Sequence, residues 1–327
     1  MVNSLFFSVL PAVDAAWGGV GAREAVAEAT EAGIRRSARE AYFQLARARG
    51  GLAVTQEADR QARAQLAQVE AGVRAGYLTE ADRLMAESRV AEVQQAMSSA
   101  EAGVEIADAA LRMLLGRGAG PAFGVVLDEI AEDETPADPD AAVAERAEIA
   151  ALRAALEAQR AAARVEDARG YPHLALFGGA MVANPSPYQI PPQQEFTPSW
   201  ELGAMLTWAP NDTLNAVHRG DELGAEQAAL AAQIEQLERM VRLEVTQSTA
   251  QARAARRTLE AARVAEAAAQ AAYDSRLAQV RAGESTTAEL FAAEGQLNRT
   301  RLATLDAEVT LRIAATQVEY AHGRLGR

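Results

Sequence analysis

The sequence predicts a mainly α-helical fold with a small β part, in which long coiled-coil hairpins carry a few strands. The eleven prolines leave residues 12–120 and 211–327 free of proline, a residue that breaks helix interiors. Apolar residues recur in both ranges with the 3.5-residue period of coiled-coil packing. Residues 199–210, SWELGAMLTWAP, instead alternate between apolar and other side chains, which is typical of a strand with two different faces.

Three apolar ladders support the helical prediction. They consist of Ile34, Ala38, Ala41, Leu45, Ala48, Leu52, Thr55, Asp59, Ala62, Leu66, Val69 and Val73; of Val90, Val93, Met97, Ala100, Val104, Ala107, Leu111 and Leu114; and of Leu230, Ile234, Leu237 and Val241. Each proline-free range is interrupted once, by VRAGYLTEAD at 73–82 and by VRAGESTTAE at 280–289. Glycine ends a helix in a left-handed conformation, and Thr79 and Thr286 can cap the next one. The sequence therefore predicts a repeated helical hairpin, with arms of up to roughly 75–100 Å.

Residues 121–210, in the middle of the chain, are expected to contain strands between helices. Residues 121–140 are expected to form an acidic linker with a short strand at Val125–Leu127, and residues 141–169 a third helical stretch. Within 172–210 we expect a strand, a proline-rich loop and a second strand. Leu5, Phe7 and Val9 before Pro11 indicate the second strand of an earlier pair.

Trp200 and Trp208 lie at the two ends of one apolar strand face. Eight residues of strand span roughly 26 Å, close to the ~25 Å apolar band of an outer-membrane barrel with its aromatic girdles. We therefore expect Trp200 and Trp208 to form a membrane girdle; the alternative is a soluble hairpin with one buried face. Lipid-exposed sheet edges do not survive in a bilayer, so a membrane sheet must close into a barrel. The few strands of this chain cannot close a barrel alone, so the barrel must be shared between chains.

Composition excludes several functional classes. The net charge of −13 argues against a nucleic-acid binder. All 32 basic residues are arginine and there is no cysteine, which excludes a phosphate-loop lysine, a Schiff-base lysine, a thiol nucleophile and thiolate zinc sites. His173, His218 and His322 are far apart in sequence and are expected to be surface or rim residues without a metal role. We therefore expect no enzymatic activity and no cofactor.

The arrangement resembles the TolC-like outer membrane efflux proteins over nearly the whole chain. The most specific matches are the two hairpin tips, at residues 74–79 and 281–286. After each tip, Asp82 or Glu289 matches the acidic or amide position of the family. Further matches are Leu84, Ala86, Arg153, Leu156, Tyr171, Pro172, Leu174, Leu176 and the junction Leu10-Pro11, with a looser one at 206–210.

The resemblance implies a homotrimer in the outer membrane, with transmembrane β-barrel strands contributed by each protomer and a periplasmic tunnel of helical hairpins. The protein is then a passive duct of a tripartite efflux or type I secretion system. Its expected partners are a periplasmic adaptor (membrane fusion) protein and an inner-membrane transporter. The implied adaptor-docking residues are Arg74, Gly76, Leu78, Thr79, Arg281, Gly283, Ser285 and Thr286. Glu289 and Asp82 are the gate candidates; alternatively, they are ordinary N-terminal helix charges.

The resemblance also divides the chain into two structural repeats. The first covers 1–120, and the first helix, first strand and signal peptide of the family are expected to be missing from it. A linker covers 121–140. The second repeat covers 141–327 and contains a helix, the strand–loop–strand at 172–210 and a helical hairpin at 213–323. The main alternative to a duct is a soluble coiled-coil scaffold or interaction protein.

Overall fold

The computed structural model describes residues 10–126, 138–184, 187–188, 190–191 and 194–325. The elements in this part of the chain are α1 (Leu10–Ala75), α2 (Glu80–Leu114), α3 (Pro139–Glu145), α4 (Ala147–Arg169), β1 (His173–Ala183), β2 (Thr197–Thr207), α5 (Pro210–Ala282) and α6 (Thr287–Ala321). The mainly helical prediction is therefore confirmed. The strand expected at Leu5, Phe7 and Val9 lies outside the described residues.

Both predicted helical hairpins are present. Helix α1 has 66 residues and α2 has 35, while α5 has 73 and α6 has 35. Pro210 begins α5, earlier than the expected start at 213, because the first turn of a helix needs no hydrogen bond from proline. The apolar ladders follow the buried faces: every position of the ladder from Val90 to Leu114 is buried or half-buried.

The ladder prediction is wrong at the first position of the first ladder. Leu45 is fully buried, whereas Ile34 keeps 51% of its surface exposed. The 3.5-residue period identifies one face of a helix, but it does not say how far along that face a partner helix packs. Burial along α1 is therefore decided by the neighbouring elements rather than by the period.

The chain forms two compact units. We call Met1–Ala29 with Arg146–Met240 the strand unit, and Thr30–Glu145 with Val241–Arg327 the tip unit. Helices α1 and α5 contribute residues to both. The strand unit contains β1 and β2, and the tip unit contains both hairpin turns.

In the tip unit, small residues lie at the helix contacts. One buried cluster joins α1 to α2 through Ala58, Ala62 and Val93, with Val90 packed against it. A second joins α5 to α6 through alanines and leucines; its members are Ala255, Leu259, Ala307, Leu311 and Ala314. Alanine at these positions lets helix backbones approach closely, which explains how an alanine-rich sequence builds a core.

Two local predictions are wrong. Val125 and Val126 do not form a strand, because the hydroxyl of Tyr42 bonds both to the N–H of Val126 (2.9 Å) and to its carbonyl (2.7 Å). Leu127 lies outside the described residues. The helical stretch expected at 141–169 is also broken at Arg146, which is extended and separates α3 from α4. The buried Arg146 side chain forms an ion pair with Glu148 at 2.9 Å.

The linker after α2 is organised by Arg112. Its guanidinium pairs with Asp108 within α2 and donates to the carbonyl oxygens of three residues that follow α2, at 3.1, 3.0 and 2.7 Å. These acceptors are Gly118, Gly120 and Pro121. The same guanidinium stacks over the ring of Phe123, with its Cζ 4.7 Å from the ring centroid. These bonds hold the glycine-rich segment after α2 against the end of the helix.

Candidate functional site

The turn between the helices of each hairpin depends on one glycine. Gly76 has a φ of 83° and Gly283 a φ of 78°, a left-handed conformation that L side chains rarely adopt. In the first tip, the N–H groups of Gly76 and Tyr77 donate to carbonyl groups of the last turn of α1, at 3.0 and 3.1 Å. In the second, Gly283 and Glu284 do the same at 3.1 and 2.8 Å. Both turns end their helices by satisfying the last carbonyl groups.

Capping boxes begin α2 and α6, as the two threonines predict. At the first tip, the N–H of Asp82 donates to Thr79 Oγ1 at 3.2 Å, and the N–H of Thr79 donates to Asp82 Oδ2 at 2.9 Å. At the second, the N–H of Glu289 donates to Thr286 Oγ1 at 3.3 Å, and the N–H of Thr286 donates to Glu289 Oε2 at 3.1 Å. The two gate candidates therefore occupy equivalent positions and share one structural role.

Hydrogen bonds keep both tip carboxylates ionised. The side chain and backbone of Thr79, with Thr287, hold the pKa of Asp82 below its ordinary value. The hydroxyl of Ser285 and the backbone of Thr286 do the same for the pKa of Glu289. A carboxyl whose folded pKa is lowered stabilises the folded state above its ordinary pKa and loses that contribution on acidification. Each tip thus carries a fixed negative charge at neutral pH.

The two tips lie side by side. Thr287, the first residue of α6, donates through Oγ1 to Asp82 Oδ1 at 2.8 Å. This bond joins the first hairpin to the second, and sequence analysis did not identify Thr287. No local pattern could have identified it, because the two residues are far apart in the chain and each fits its own capping motif. The sequence-identified tip residues are therefore brought together into one surface.

The adaptor-docking candidates differ in exposure. Arg74 and Arg281 are exposed at the ends of α1 and α5. Leu78 instead folds back onto the turn: a Cβ added to Gly72 would lie 2.6 Å from Leu78 Cδ1. Tyr77, which the sequence analysis did not select, is an exposed aromatic residue at the outer end of the same turn. Aromatic residues with exposed rings are common anchors of protein interfaces, so Tyr77 extends the candidate surface.

The strand unit presents a second candidate surface. Strands β1 and β2 pair antiparallel, with His173 opposite Thr207 and Ala183 opposite Thr197. Because opposite residues share a face, the register places ten residues without a polar side chain on one side of the sheet. This apolar sheet face consists of Leu174, Leu176, Gly178, Ala180, Val182, Pro198, Trp200, Leu202, Ala204 and Leu206. Within the chain, Trp200 is 81% and Leu202 is 78% exposed.

The opposite face of the sheet is mixed in character. It carries Ser199 and Glu201 together with Phe177, and the ring of Phe177 covers Gly203 on the neighbouring strand. A Cβ added to Gly203 would lie 2.3 Å from Phe177 Cζ. This cross-strand contact follows from the register, which the alternating pattern of β2 does not determine.

The two tryptophans of the predicted girdle have different settings. Trp200 is the fourth residue of β2, whereas Trp208 follows the last residue of the strand, Thr207. The indole N–H of Trp208 donates to Thr213 Oγ1 at 3.2 Å, and Thr213 donates to the carbonyl of Gly170 at 2.9 Å. Trp208 is thereby tied to the junction of the strands with α4 and α5. Whether the pair forms a membrane girdle stays a prediction.

The two histidines whose side chains the structure describes, His218 and His322, belong to different units of the chain. His218 is exposed, as predicted, but the prediction is wrong for His322, which is only 6% exposed. His322 ends α6 with Nδ1 2.9 Å from the carbonyl oxygen of Val318. No group of three or more potential metal ligands occurs among the described residues. Nor does any helix in the described ranges have a segment long and apolar enough to cross a membrane.

The chain resembles known proteins in two ways, in the sequence of its first hairpin and in its fold. Residues 4–117 match the sequence profile of the outer membrane efflux protein family, and this match includes the first tip. No curated protein matches the chain in sequence. Solved structures match over nearly its full length.

A membrane protein from Pseudomonas aeruginosa superimposes with a TM-score of 0.85 at 21% identity, over 98% of this chain and 75% of that one. The MtrE outer membrane channel of Neisseria gonorrhoeae gives 0.83 at 18% identity, over 98% and 73%. The outer membrane protein VceC of Vibrio cholerae gives 0.81 at 18% identity, over 98% and 77%. The chain thus has the fold of these membrane proteins, and its first hairpin also matches the outer membrane efflux protein family in sequence.

Proposed function

We propose that the chain is one protomer of a homotrimeric outer-membrane duct that passively conducts substrates from a periplasmic pump assembly to the outside. The main observation that supports this proposal is the apolar sheet face. Ten residues without polar side chains lie on one side of a two-stranded sheet, and its large side chains are exposed in the single chain. A surface of this kind is stable in water only when it is covered, and lipid covers it without another protein.

The same sheet supports an assembly of several copies. A two-stranded sheet has an unpaired edge on each side, and backbone groups at such edges need hydrogen-bond partners inside a bilayer. Closure of the sheet with strands of other copies satisfies them and forms a barrel with a lumen. The homotrimer is the closure that the TolC-like resemblance implies. The fold likeness to outer membrane channels supports this arrangement.

Two structural repeats account for the two equivalent tips. The repeats cover 1–120 and 141–327, with 121–140 as the linker between them. Each tip has a left-handed glycine, a threonine cap and an acidic residue at the third helical position. We infer that the paired tips dock a periplasmic adaptor, which connects the duct to an inner-membrane transporter. The exposed arginines of both tips and the ring of Tyr77 are available for such a contact.

The proposal is tested by extraction and by conductance. The full chain, expressed with an export signal, is expected to leave the membrane fraction only with detergent and to migrate as a trimer before heating. It is expected to form discrete channels in planar bilayers. A chain that is released by buffer or alkaline carbonate, and that forms no channels, contradicts the duct. That result favours the soluble coiled-coil scaffold.

We further infer that Glu289, and to a smaller extent Asp82, line the narrow end of the duct and favour cations. Replacement of Glu289 by Gln removes the charge but keeps a residue that completes a capping box. We expect Glu289→Gln to lower the cation-to-anion permeability ratio, measured from single-channel reversal potentials in a salt gradient. Because an exposed charge acts weakly through water, the expected decrease is about two- to threefold.

The control for this prediction separates charge from capping. Glu289→Ala removes both the charge and the bond that the side chain accepts from the N–H of Thr286, and we expect the same selectivity as for Glu289→Gln with a lower stability of α6. Unchanged reversal potentials in both variants contradict the gate and leave Glu289 with its capping role alone.

A further inference from the structure

Glu294 is completely buried in the tip unit, with 0% of its surface exposed. It lies on the packed face of α6 between two buried leucines, Leu290 and Leu297, which precede it by four residues and follow it by three. This spacing is that of successive core positions of a coiled coil, where leucine or another apolar residue is usual. A carboxyl group therefore occupies a position that packing alone assigns to an apolar side chain.

Side chains from the three other long helices surround this carboxyl group. The amide of Gln65 on α1 lies next to the carboxyl of Glu294 and to the hydroxyl of Tyr273 on α5. Arg89 on α2 is the charged residue that acts on Glu294, and it also pairs with Glu92 at 3.3 Å. We call Gln65, Arg89, Tyr273 and Glu294 the polar cluster. It is a point at which both hairpins meet through polar groups.

The polar cluster contains buried groups that form no hydrogen bond, among them the Nε donor of Arg89. Both carboxyl oxygens of Glu294 and Oε1 of Gln65 are buried, and no described residue donates to them in hydrogen-bond geometry. Gln65 lies close enough to favour the ionised carboxylate, but its amide is not aligned for a full hydrogen bond. The carboxylate of Glu294 is thus buried without an aligned donor, and one proton on it removes the buried charge.

We propose that Glu294 is a proton-controlled switch: the protonated side chain holds the two hairpins together beside Gln65, and loss of the proton loosens their packing next to the tips. Glu294 lies seven residues beyond the start of α6, which is roughly 10 Å from the tip. The consequence for a channel, that alkaline pH favours opening of the tips, rests on the proposed function. The pH-dependent loosening of the helix packing does not depend on the proposed function.

The direction of the pH dependence follows from burial. Burial raises the pKa of Glu294, and the charge of Arg89 and the amide of Gln65 oppose this rise. A carboxyl whose pKa is raised in the packed state binds its proton more tightly there than in the loosened state. The packed state is therefore favoured at low pH and loses stability as the pH rises through the raised pKa. Burial and the charge of Glu294 also raise the pKa of Tyr273, so its hydroxyl stays neutral over this range.

The test measures the distance between the tips. The chain has no cysteine, so Ala81→Cys and Ala288→Cys introduce two unique spin-label sites at exposed positions, one in each tip. Distance distributions are recorded by pulsed electron resonance on the full chain in detergent at pH 5, 7 and 9. We expect one narrow distance at pH 5 and a broader, longer distribution at pH 9. One proton limits the change in the packed-to-loosened ratio to about tenfold per pH unit.

Three variants make this result specific. Glu294→Gln is permanently neutral and is expected to keep the narrow distance at both pH extremes. Arg89→Gln removes the cation that favours ionisation, so the midpoint is expected to move to higher pH, a shift that a purely structural role does not produce. Glu101→Gln makes the same charge change at an exposed site on α2 and is expected to respond like the unmodified chain.

A distribution that is the same at pH 5 and pH 9 in the unmodified chain overturns the switch, and so does pH-dependent broadening that persists in Glu294→Gln. Asp82 does not confuse the measurement, because its pKa lies below its ordinary value and it stays ionised throughout. The distances require no conductance. A chain that shows the pH response but forms no channel refutes the proposed function alone.

Discussion

Leu202→Arg is expected to remove the protein from the outer membrane. Leu202 lies at the centre of β2, on the apolar sheet face, and 78% of its surface is exposed in the single chain. An arginine on the lipid face of a barrel costs about 2–4 kcal/mol at the middle of the bilayer. A homotrimer repeats that cost three times, so we expect the heat-dissociable trimer to be absent from the outer-membrane fraction. Fractionation and unheated gel electrophoresis measure both effects.

The matched control is the neighbouring residue on the other face. Glu201→Arg places the same side chain one position away, on the mixed face of the sheet. Because adjacent strand residues point to opposite sides, Glu201→Arg is expected to assemble as the unmodified chain does. Normal assembly of Leu202→Arg contradicts a lipid-facing apolar sheet face. Loss of assembly in both variants indicates that β2 does not tolerate arginine on either face. That result gives no support for contact between the apolar sheet face and lipid.

Leu45→Ala is expected to lower the free energy of unfolding of the tip unit by about 2–5 kcal/mol. Leu45 is a fully buried member of the first apolar ladder in α1. Truncation of a buried leucine removes apolar burial and leaves a cavity that the neighbouring helices fill only in part. Denaturant unfolding of the purified chain in detergent, followed by helical circular dichroism, measures the difference.

Ile34→Ala is the control for this prediction. Ile34 belongs to the same ladder and the same helix, but half of its side chain is exposed. Its truncation removes little buried surface, and alanine has a higher helix propensity than isoleucine, so we expect a change below about 1 kcal/mol. Equal destabilisation by the two variants contradicts the burial difference. That outcome indicates that Ile34 is covered in the assembled protein.

Much of the fold follows from local sequence patterns. The proline-free ranges predict two long helical hairpins, because proline removes a helical hydrogen bond wherever it occurs. The glycines at 76 and 283 and the threonines that follow them predict both turns, because left-handed backbone and side-chain caps are local requirements. The alternation in β2 predicts a strand with one apolar face. These features depend on residues within a few positions of one another.

Other features depend on contacts between distant residues. A short apolar segment such as Val125–Leu127 has the composition of a strand, but a strand needs a neighbour, and the hydroxyl of Tyr42 bonds to the backbone of Val126 instead. The burial of His322 likewise follows from the packing of the end of α6, where a Cβ added to Gly323 would lie 2.8 Å from the carbonyl oxygen of Glu145. Neither contact has a local sequence signal.

The candidate sites divide in the same way. The sequence by itself determined the helical hairpins, the two tips with Asp82 and Glu289, and the strand face with Trp200, because periodicity and capping act over a few residues. Only the tertiary structure decided that Thr287 bonds to Asp82 across the tips and that Gln65, Arg89 and Tyr273 surround Glu294. A helical period shows which face of a helix is buried. It carries no information on which residues of another helix meet that face, because that choice depends on the register between helices far apart in the chain.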